Sequence, residues 1–211
     1  SGGEPGNIPW DAFDVDYVID ATGRFLKRNE LAAHLEAGAK RVFISRNPND
    51  TIDRFVIPGI NESSIKSSDS IISTTSSTTQ VLALMVKMLD ECFGLERAMM
   101  TTVHAYTADQ PLADAAGVDL RRSRSAVENI IPNTTRAPKI VTDIMPQFKG
   151  KIDGSAIRVP TPNVSLVDFK FYSNKPTSVE ELKSIFKNAE NNQFKSIIQT
   201  TSDPLVSADF N

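Results

Sequence analysis

The sequence predicts an α/β protein. A strand–helix–strand run with short turns lies near its start, and short apolar strands alternate with amphipathic helices through the rest. Residues 16–20 (Asp-Tyr-Val-Ile-Asp) read as a strand, closed by Ala21, Thr22 and Gly23. A helix follows over 28–36, with Leu31, Ala32 and Leu35 at helical spacing, and Gly38 ends it. Residues 41–45 (Arg-Val-Phe-Ile-Ser) form a second strand, broken by Asn47, Pro48, Asn49 and Asp50. A helix between two strands argues for parallel pairing. Two short strands are expected near 54–57 and 70–73.

A helix over 77–93 places Val81, Leu82, Met85, Met88, Leu89 and Cys92 on one apolar face, and Gly94 stops it. Residues 96–104 read as a strand. From Ala105 to Ile131 the periodicity is lost, and so long a stretch inside a compact domain is usually functional. A helix near 137–145 and strands at 155–159 and 163–172 follow. A last helix over 179–188 is introduced by Thr177 and Ser178, with Glu180 and Glu181 in its first turn. His34, on the first helix, is expected to be solvated.

The bulk numbers bound the function. The 211 residues, 40% hydrophobic and 23% charged, suffice for one large domain or parts of two. A net charge of −3 offers no basic footprint for nucleic acid, and no apolar run approaches the roughly 18 residues of a membrane span. Neither nucleic acid nor membrane is expected as a partner, and no metal site is expected. The single Cys92 cannot form an internal disulfide, which suits a reducing, cytoplasmic setting. Residues 1–6 read as a polar loop and residues 207–211 as an end without a closing element, so an internal fragment of a longer chain is expected.

Chemistry concentrates in two places. Residues 74–80 (Thr-Thr-Ser-Ser-Thr-Thr-Gln) open the helix over 77–93, and His104 follows Ser77 by 27 positions at a strand end. Free N–H groups at a helix start favour negative charge, which would ionise a thiol usefully but not a hydroxyl. Activation of Ser77 therefore needs a base, and His104 is the candidate. Alternatively Ser76 or Ser77 is a helix cap, and His104 is structural. Arg121, Arg122 and Arg124 suit oxyanion recognition, or form a solvated segment paired with Asp114 and Asp119. Arg158, in the apolar run Ala156-Ile157-Arg158-Val159, needs an acidic or phosphate partner if it points inward. Thr22 and Gly23 could let a backbone approach a cofactor, yet the chain contains no G-x-G-x-x-G.

Together these stretches resemble the phosphorylating glyceraldehyde-3-phosphate dehydrogenases. The resemblance covers residues 18–25, 34–45, 100–107, 120–124, 129–132 and 157–168, and is most specific in Arg-Val-Pro-Thr-Pro-Asn-Val-Ser (158–165) and Pro-Leu-Val-Ser-Ala-Asp-Phe-Asn (204–211). It implies the end of a Rossmann NAD-binding domain over 1–76. An α+β catalytic domain with a mixed, mainly antiparallel sheet would follow over 77–211, incomplete at its C-terminus. It implies nucleophile and base positions at Ser77 and His104, and a substrate-phosphate site at Thr107 and Arg158. It also implies an inorganic-phosphate site at Ser76, Thr78, Arg122 and Thr135, and a cofactor cleft lined by Thr22, Gly23 and Ser45. NAD is the implied cofactor, with NADP left open. A sugar phosphate and inorganic phosphate are the implied ligands, and a homotetramer the implied assembly, through the segment after Ala105. The implied reaction is the aldehyde oxidation of glycolysis and gluconeogenesis. Three positions depart from the family: Ser77 stands where it has Cys, Gln80 where it has Asn, and Arg136 where it has Gly. The departure at Ser77 predicts impaired dehydrogenase chemistry. The alternatives are an inactive NAD- or sugar-phosphate-binding paralogue, an erythrose-4-phosphate dehydrogenase and, last, a Ser77/His104 hydrolase.

Overall fold

The computed structural model describes residues 3–210. Ser1 and Gly2 of the expected opening loop and Asn211 of the closing motif lie outside the described residues. The chain divides into two compact units, residues 1–83 and 84–211.

The first unit carries an all-parallel sheet of β1 (Tyr17–Asp20), β2 (Arg41–Ile44), β3 (Arg54–Phe55) and β4 (Ile71–Ser73), in the order β1-β2-β4-β3. Helix α1 (Arg28–Glu36) makes the crossover between β1 and β2. Glu30 starts it, its carboxylate accepting the Leu26 and Lys27 amides at 2.9 Å each. The core joins Leu31 of α1 to Val42, Ile44, Ile52 and Ile71. Each such buried side chain contributes about 1.5–3 kcal/mol over its exposed state. His34 departs from the expectation of a solvated residue: it is buried at 5% exposure. It stands three residues after Leu31, on the same inward face, and Trp10 and Asp20 satisfy its ring.

Helix α2 (Ser77–Phe93) runs from the first unit into the second. Its buried apolar residues are Leu82, Ala83, Leu84, Val86, Met88, Leu89 and Phe93, whereas Val81 is exposed. The buried arc is wider than one face and excludes Val81, because the helix is covered on more than one side.

The second unit holds a mixed sheet of β5 (Leu95–Ala105), β6 (Ile131–Asn133), β7 (Ile152–Val159) and β8 (Ser165–Ser173), ordered β6-β7-β5-β8. Strands β5 and β7 are parallel, and the two outer pairings are antiparallel. Helices α3 (Ala137–Ile144) and α4 (Val179–Asn191) accompany it. A reciprocal capping box starts α4: Ser178 Oγ accepts the Glu181 amide at 3.2 Å, and the Glu181 carboxylate accepts the Ser178 amide at 2.9 Å. β8 begins at Ser165, two residues later than expected, since Val164 sits in the left-handed region with φ 67° and cannot continue a strand. Ser207–Phe210 forms a short 3-10 helix where no closing element was expected.

Residues 106–130 contain no helix or strand and are laced internally instead. The Ala115 amide donates to the Ser123 carbonyl at 2.9 Å, Ser125 Oγ donates to the Leu112 carbonyl at 2.8 Å, and Arg124 pairs with Asp114 at 2.8 Å. A long loop packed by its own side chains is a built element, not a slack linker.

Candidate active site

Parallel pairing places three strand ends side by side. Asp20 lies opposite Ile44 and Ile44 opposite Ser73, so the turns leaving β1, β2 and β4 emerge at one edge of the sheet. Open parallel sheets bind ligands outside such carboxyl ends. That edge receives Thr22 and Gly23 after β1, Ser45 after β2, and Ser76, Ser77 and Thr78 after β4. The first unit thus gathers all three expected cofactor residues with the nucleophile position.

The turn after β1 is fixed by Asp20, whose Oδ1 accepts the Thr22 amide at 2.8 Å and the Thr22 hydroxyl at 2.7 Å. Gly23 has φ 69°, and a Cβ there would come within 2.7 Å of the Arg46 guanidinium. The position therefore favours glycine on backbone grounds and admits a close neighbour. Thr22 and Ser45 are exposed.

After β4 the chain turns sharply. Thr75 has φ 65°, a strained state for a β-branched residue. Two hydrogen bonds hold it: the Thr75 amide donates to Ser73 Oγ at 2.9 Å, and Gln80 Nε2 donates back to the Thr74 carbonyl at 2.8 Å. The longer amide of Gln80 thus braces the turn that delivers the helix start. Ser76 is the cap of α2, its Oγ accepting the Thr79 amide at 3.3 Å and lying 2.8 Å from Thr79 Oγ1. With capping taken by Ser76, Ser77 occupies the first helical position and is exposed, while Thr78 is buried.

In the second unit His104, the penultimate residue of β5, lies directly opposite Arg158 of β7. Arg158 NH1 lies 2.6 Å from His104 Nδ1 and 2.7 Å from the Ala105 carbonyl, which is itself 2.7 Å from Nδ1. Nδ1 can donate to that carbonyl or accept from Arg158, not both. Burial lowers the pKa of half-buried His104 and the Arg158 charge adds to the effect, against the Ala105 carbonyl, which favours the protonated ring. His104 is accordingly held towards the neutral form a base requires.

Thr107 lies just beyond β5. Its hydroxyl donates to Asp109, and its amide and carbonyl bond Gln110, at 3.3 Å to Oε1 and 2.9 Å to the amide. Arg122 reaches the same Asp109 at 4.0 Å, which links it to the Thr107 turn. Asp119 takes the Arg121 and Arg122 backbone amides, at 3.0 and 3.1 Å. Thr135 follows β6, which runs away from Arg158: Ile131 faces Arg158 and Asn133 faces Ala156. Its Oγ1 accepts the Ala137 amide at 3.2 Å at the start of α3, and Arg136 beside it is exposed. Asp20, Asp109 and Gln110 support site residues through contacts that the sequence does not show. Only Asp20, one residue before Ala21-Thr22-Gly23, carried a local signal, that of an acceptor two residues before a turn amide.

Among the described residues no group of three or more His, Cys, Asp or Glu side chains is placed to hold a metal ion. No helix among them is long and apolar enough to cross a membrane.

The fold and these strand ends define an α/β protein whose parallel-sheet unit is followed by a mixed-sheet unit carrying a His–Arg pair. The family described as glyceraldehyde 3-phosphate dehydrogenase, C-terminal domain, matches residues 76–211. The chain is 45% identical over 207 residues to the chromosomal glyceraldehyde-3-phosphate dehydrogenase of Cupriavidus necator, covering 98% of this chain and 62% of that protein. It is 46% identical over 209 residues to glyceraldehyde-3-phosphate dehydrogenase of Geobacillus stearothermophilus, covering 99% and 62%. It is 44% identical over 206 residues to the chloroplastic glyceraldehyde-3-phosphate dehydrogenase A of Zea mays, covering 98% and 51%. The chain belongs to the glyceraldehyde 3-phosphate dehydrogenase family. It spans about 62% of the length of the first two of these relatives.

Proposed function

We propose that this chain is part of a phosphorylating, NAD-dependent glyceraldehyde-3-phosphate dehydrogenase whose ordinary turnover is impaired by Ser77. The observation that supports it most is the shared sheet edge, which collects Thr22, Gly23, Ser45, Ser76 and Ser77 from three adjacent parallel strands. The exposed hydroxyls and the left-handed Gly23 fit one end of a nucleotide cofactor. NAD, when bound, supplies the hydride acceptor.

Ser77 occupies the nucleophile position and His104 the position that takes its proton. Thr107 and Arg158 hold the phosphate of the sugar. Ser76, Thr78, Arg122 and Thr135 serve the attacking inorganic phosphate. Arg136 adds a cation there, where it supplies charge that a glycine would not. An alcohol lacks the acidity that a helix start exploits in a thiol, so attack on the aldehyde rests on His104 alone. The domains proposed are a cofactor part over 1–76 and a catalytic part over 77–211. A homotetramer is proposed, supported by the exposed apolar Val118, Leu120 and Ile130 in the 106–130 segment. The proposed setting is cytoplasmic, on the single free Cys92.

Calorimetry with NAD, followed by an assay of NADH formation from glyceraldehyde 3-phosphate and inorganic phosphate, tests the proposal. Binding of NAD with slow turnover is expected, and absence of NAD binding overturns it. Ser77 itself favours a second reading, an inactive paralogue that binds NAD or sugar phosphate. That reading predicts binding with no acyl-enzyme in a single turnover. An erythrose-4-phosphate dehydrogenase would prefer the tetrose in the same assay.

A further inference from the structure

We propose that Trp10, His34 and Asp20 are positioning residues for the Thr22–Gly23 turn. The inference rests on the proposed function only in taking that turn as the cofactor side of the site.

Three elements of the first unit contribute. Trp10 lies ahead of β1, Asp20 ends β1, and His34 sits on α1, the helix that follows the turn. An indole N–H can only donate, and Trp10 Nε1 lies 3.1 Å from His34 Nδ1. Nδ1 is therefore the acceptor, and the ring carries its proton on Nε2. That nitrogen faces Asp20 Oδ2 at 3.4 Å. The other carboxylate oxygen, Oδ1, accepts both the amide and the hydroxyl of Thr22. The Thr22 hydroxyl, its proton directed to Asp20, keeps a lone pair for the Arg24 amide at 3.2 Å. Every donor points inward, and both arms converge on one carboxylate.

His34 and Asp20 are 5% and 7% exposed. Burying a carboxylate and an imidazole is costly unless their hydrogen bonds are met, and apolar side chains would serve packing alone as well. What this arrangement adds is a fixed backbone at Thr22 and Arg24, on either side of the left-handed Gly23. Arg46 NH1 donates to the Gly23 carbonyl at 3.4 Å. Trp10 and His34 orient Asp20, and Asp20 orients the turn, much as outer groups orient the ligands of a metal site.

The test compares the parent protein with Trp10→Phe, which keeps an aromatic ring and removes the indole donor, and with Thr22→Val and Thr22→Ser. Amide hydrogen exchange is followed at Thr22 and Arg24, with Val42 and Ile72 as controls for overall stability. Ring nitrogen shifts report the His34 tautomer, and calorimetry reports NAD affinity. Trp10→Phe is expected to speed exchange at Thr22 and Arg24 about fivefold and to weaken NAD binding by a similar factor, with the controls unmoved. Thr22→Val should do the same at Arg24, and Thr22→Ser should restore parent behaviour. A ring proton on Nδ1 overturns the inference, as do unchanged rates at Thr22 and Arg24. If Trp10→Phe does not fold, the two Thr22 variants and the His34 tautomer decide it. A parent that binds no NAD defeats the cofactor reading, while exchange at Thr22 still decides whether these residues position the turn.

Discussion

His104 and Arg158 occupy facing positions on the parallel strands β5 and β7, with the guanidinium 2.6 Å from the imidazole Nδ1. A cation so placed opposes a second positive charge, and it adds to burial in lowering the His104 pKa. Arg158→Met removes the charge and leaves the burial. The His104 titration followed by NMR is expected to move upward. An unchanged or lower midpoint would show that the arginine does not act on the ring. The linkage has a definite sign. His104 releases its proton more readily folded than unfolded, so its neutral form is uncompromised above the ordinary histidine value of about 6.5. Stability is lost as pH falls below that value and levels off once the folded pKa is passed. Arg158→Met should narrow that acidic window.

Ser77→Cys follows from the same chemistry on the other unit. Ser76 already caps α2, so residue 77 is exposed at the first helical position, where free amides lower a thiol pKa. Under the proposed function the substitution raises NADH formation by about 100-fold or more, because a thiolate attacks the aldehyde without waiting for the base. A parent already turning over at ordinary dehydrogenase rates would refute the impairment.

The legible parts of this chain are those whose signal is local. The spacing of β1, α1 and β2 follows from a run of strand residues, a helical apolar repeat and Gly38, and all three elements form within a residue of the positions these signals predict. The cap at Ser76 was open to the same reasoning, although the sequence did not choose between it and Ser77. β6 escaped notice because it is three residues long with Pro132 at its centre, tolerable only on an edge strand, and its pairing with β7 is set by distant residues. The burial of His34 was equally hidden, since its partners Trp10 and Asp20 lie 24 and 14 positions away. Motif resemblance assigned His104 and Arg158 their roles, but only strand register shows them in contact.

Asp53 links β3 to the rest of its sheet and should govern acid stability in the first unit. Burial pushes its pKa up, but the Ile71 amide, Arg28 and the Ser70 amide outweigh that and lower it to about 2. The Ile71 and Ser70 amides both donate at 2.9 Å, and Arg28 pairs at 2.6 Å. A folded value below the unfolded one, about 3.9, means that the contribution is present above pH 4 and disappears as pH falls towards 2. Asp53→Asn is expected to cost about 1–2 kcal/mol at neutral pH, after allowance for solvent screening, and almost nothing near pH 2. Urea unfolding across that range measures it, and a cost independent of pH would show that the charge is not responsible.

Gly38 tests how closely α1 is held to the segment before β1. It follows the helix with φ 108°, outside the range open to residues with a side chain. A Cβ there would fall 2.6 Å from both the amide nitrogen and the Cβ of Asp11. The Asp11 amide is itself tied to the Ala37 carbonyl at 3.2 Å, so backbone would have to move, not merely a flexible side chain. Gly38→Ala therefore combines an unfavourable dihedral with a steric overlap, and a loss of about 2–4 kcal/mol is expected. Because Trp10 precedes Asp11 directly, the displacement should also lengthen the Trp10–His34 hydrogen bond. Chemical unfolding reads the first effect and the His34 ring nitrogen shifts read the second. A variant with parent stability would mean that the Asp11 backbone does not approach the helix end this closely.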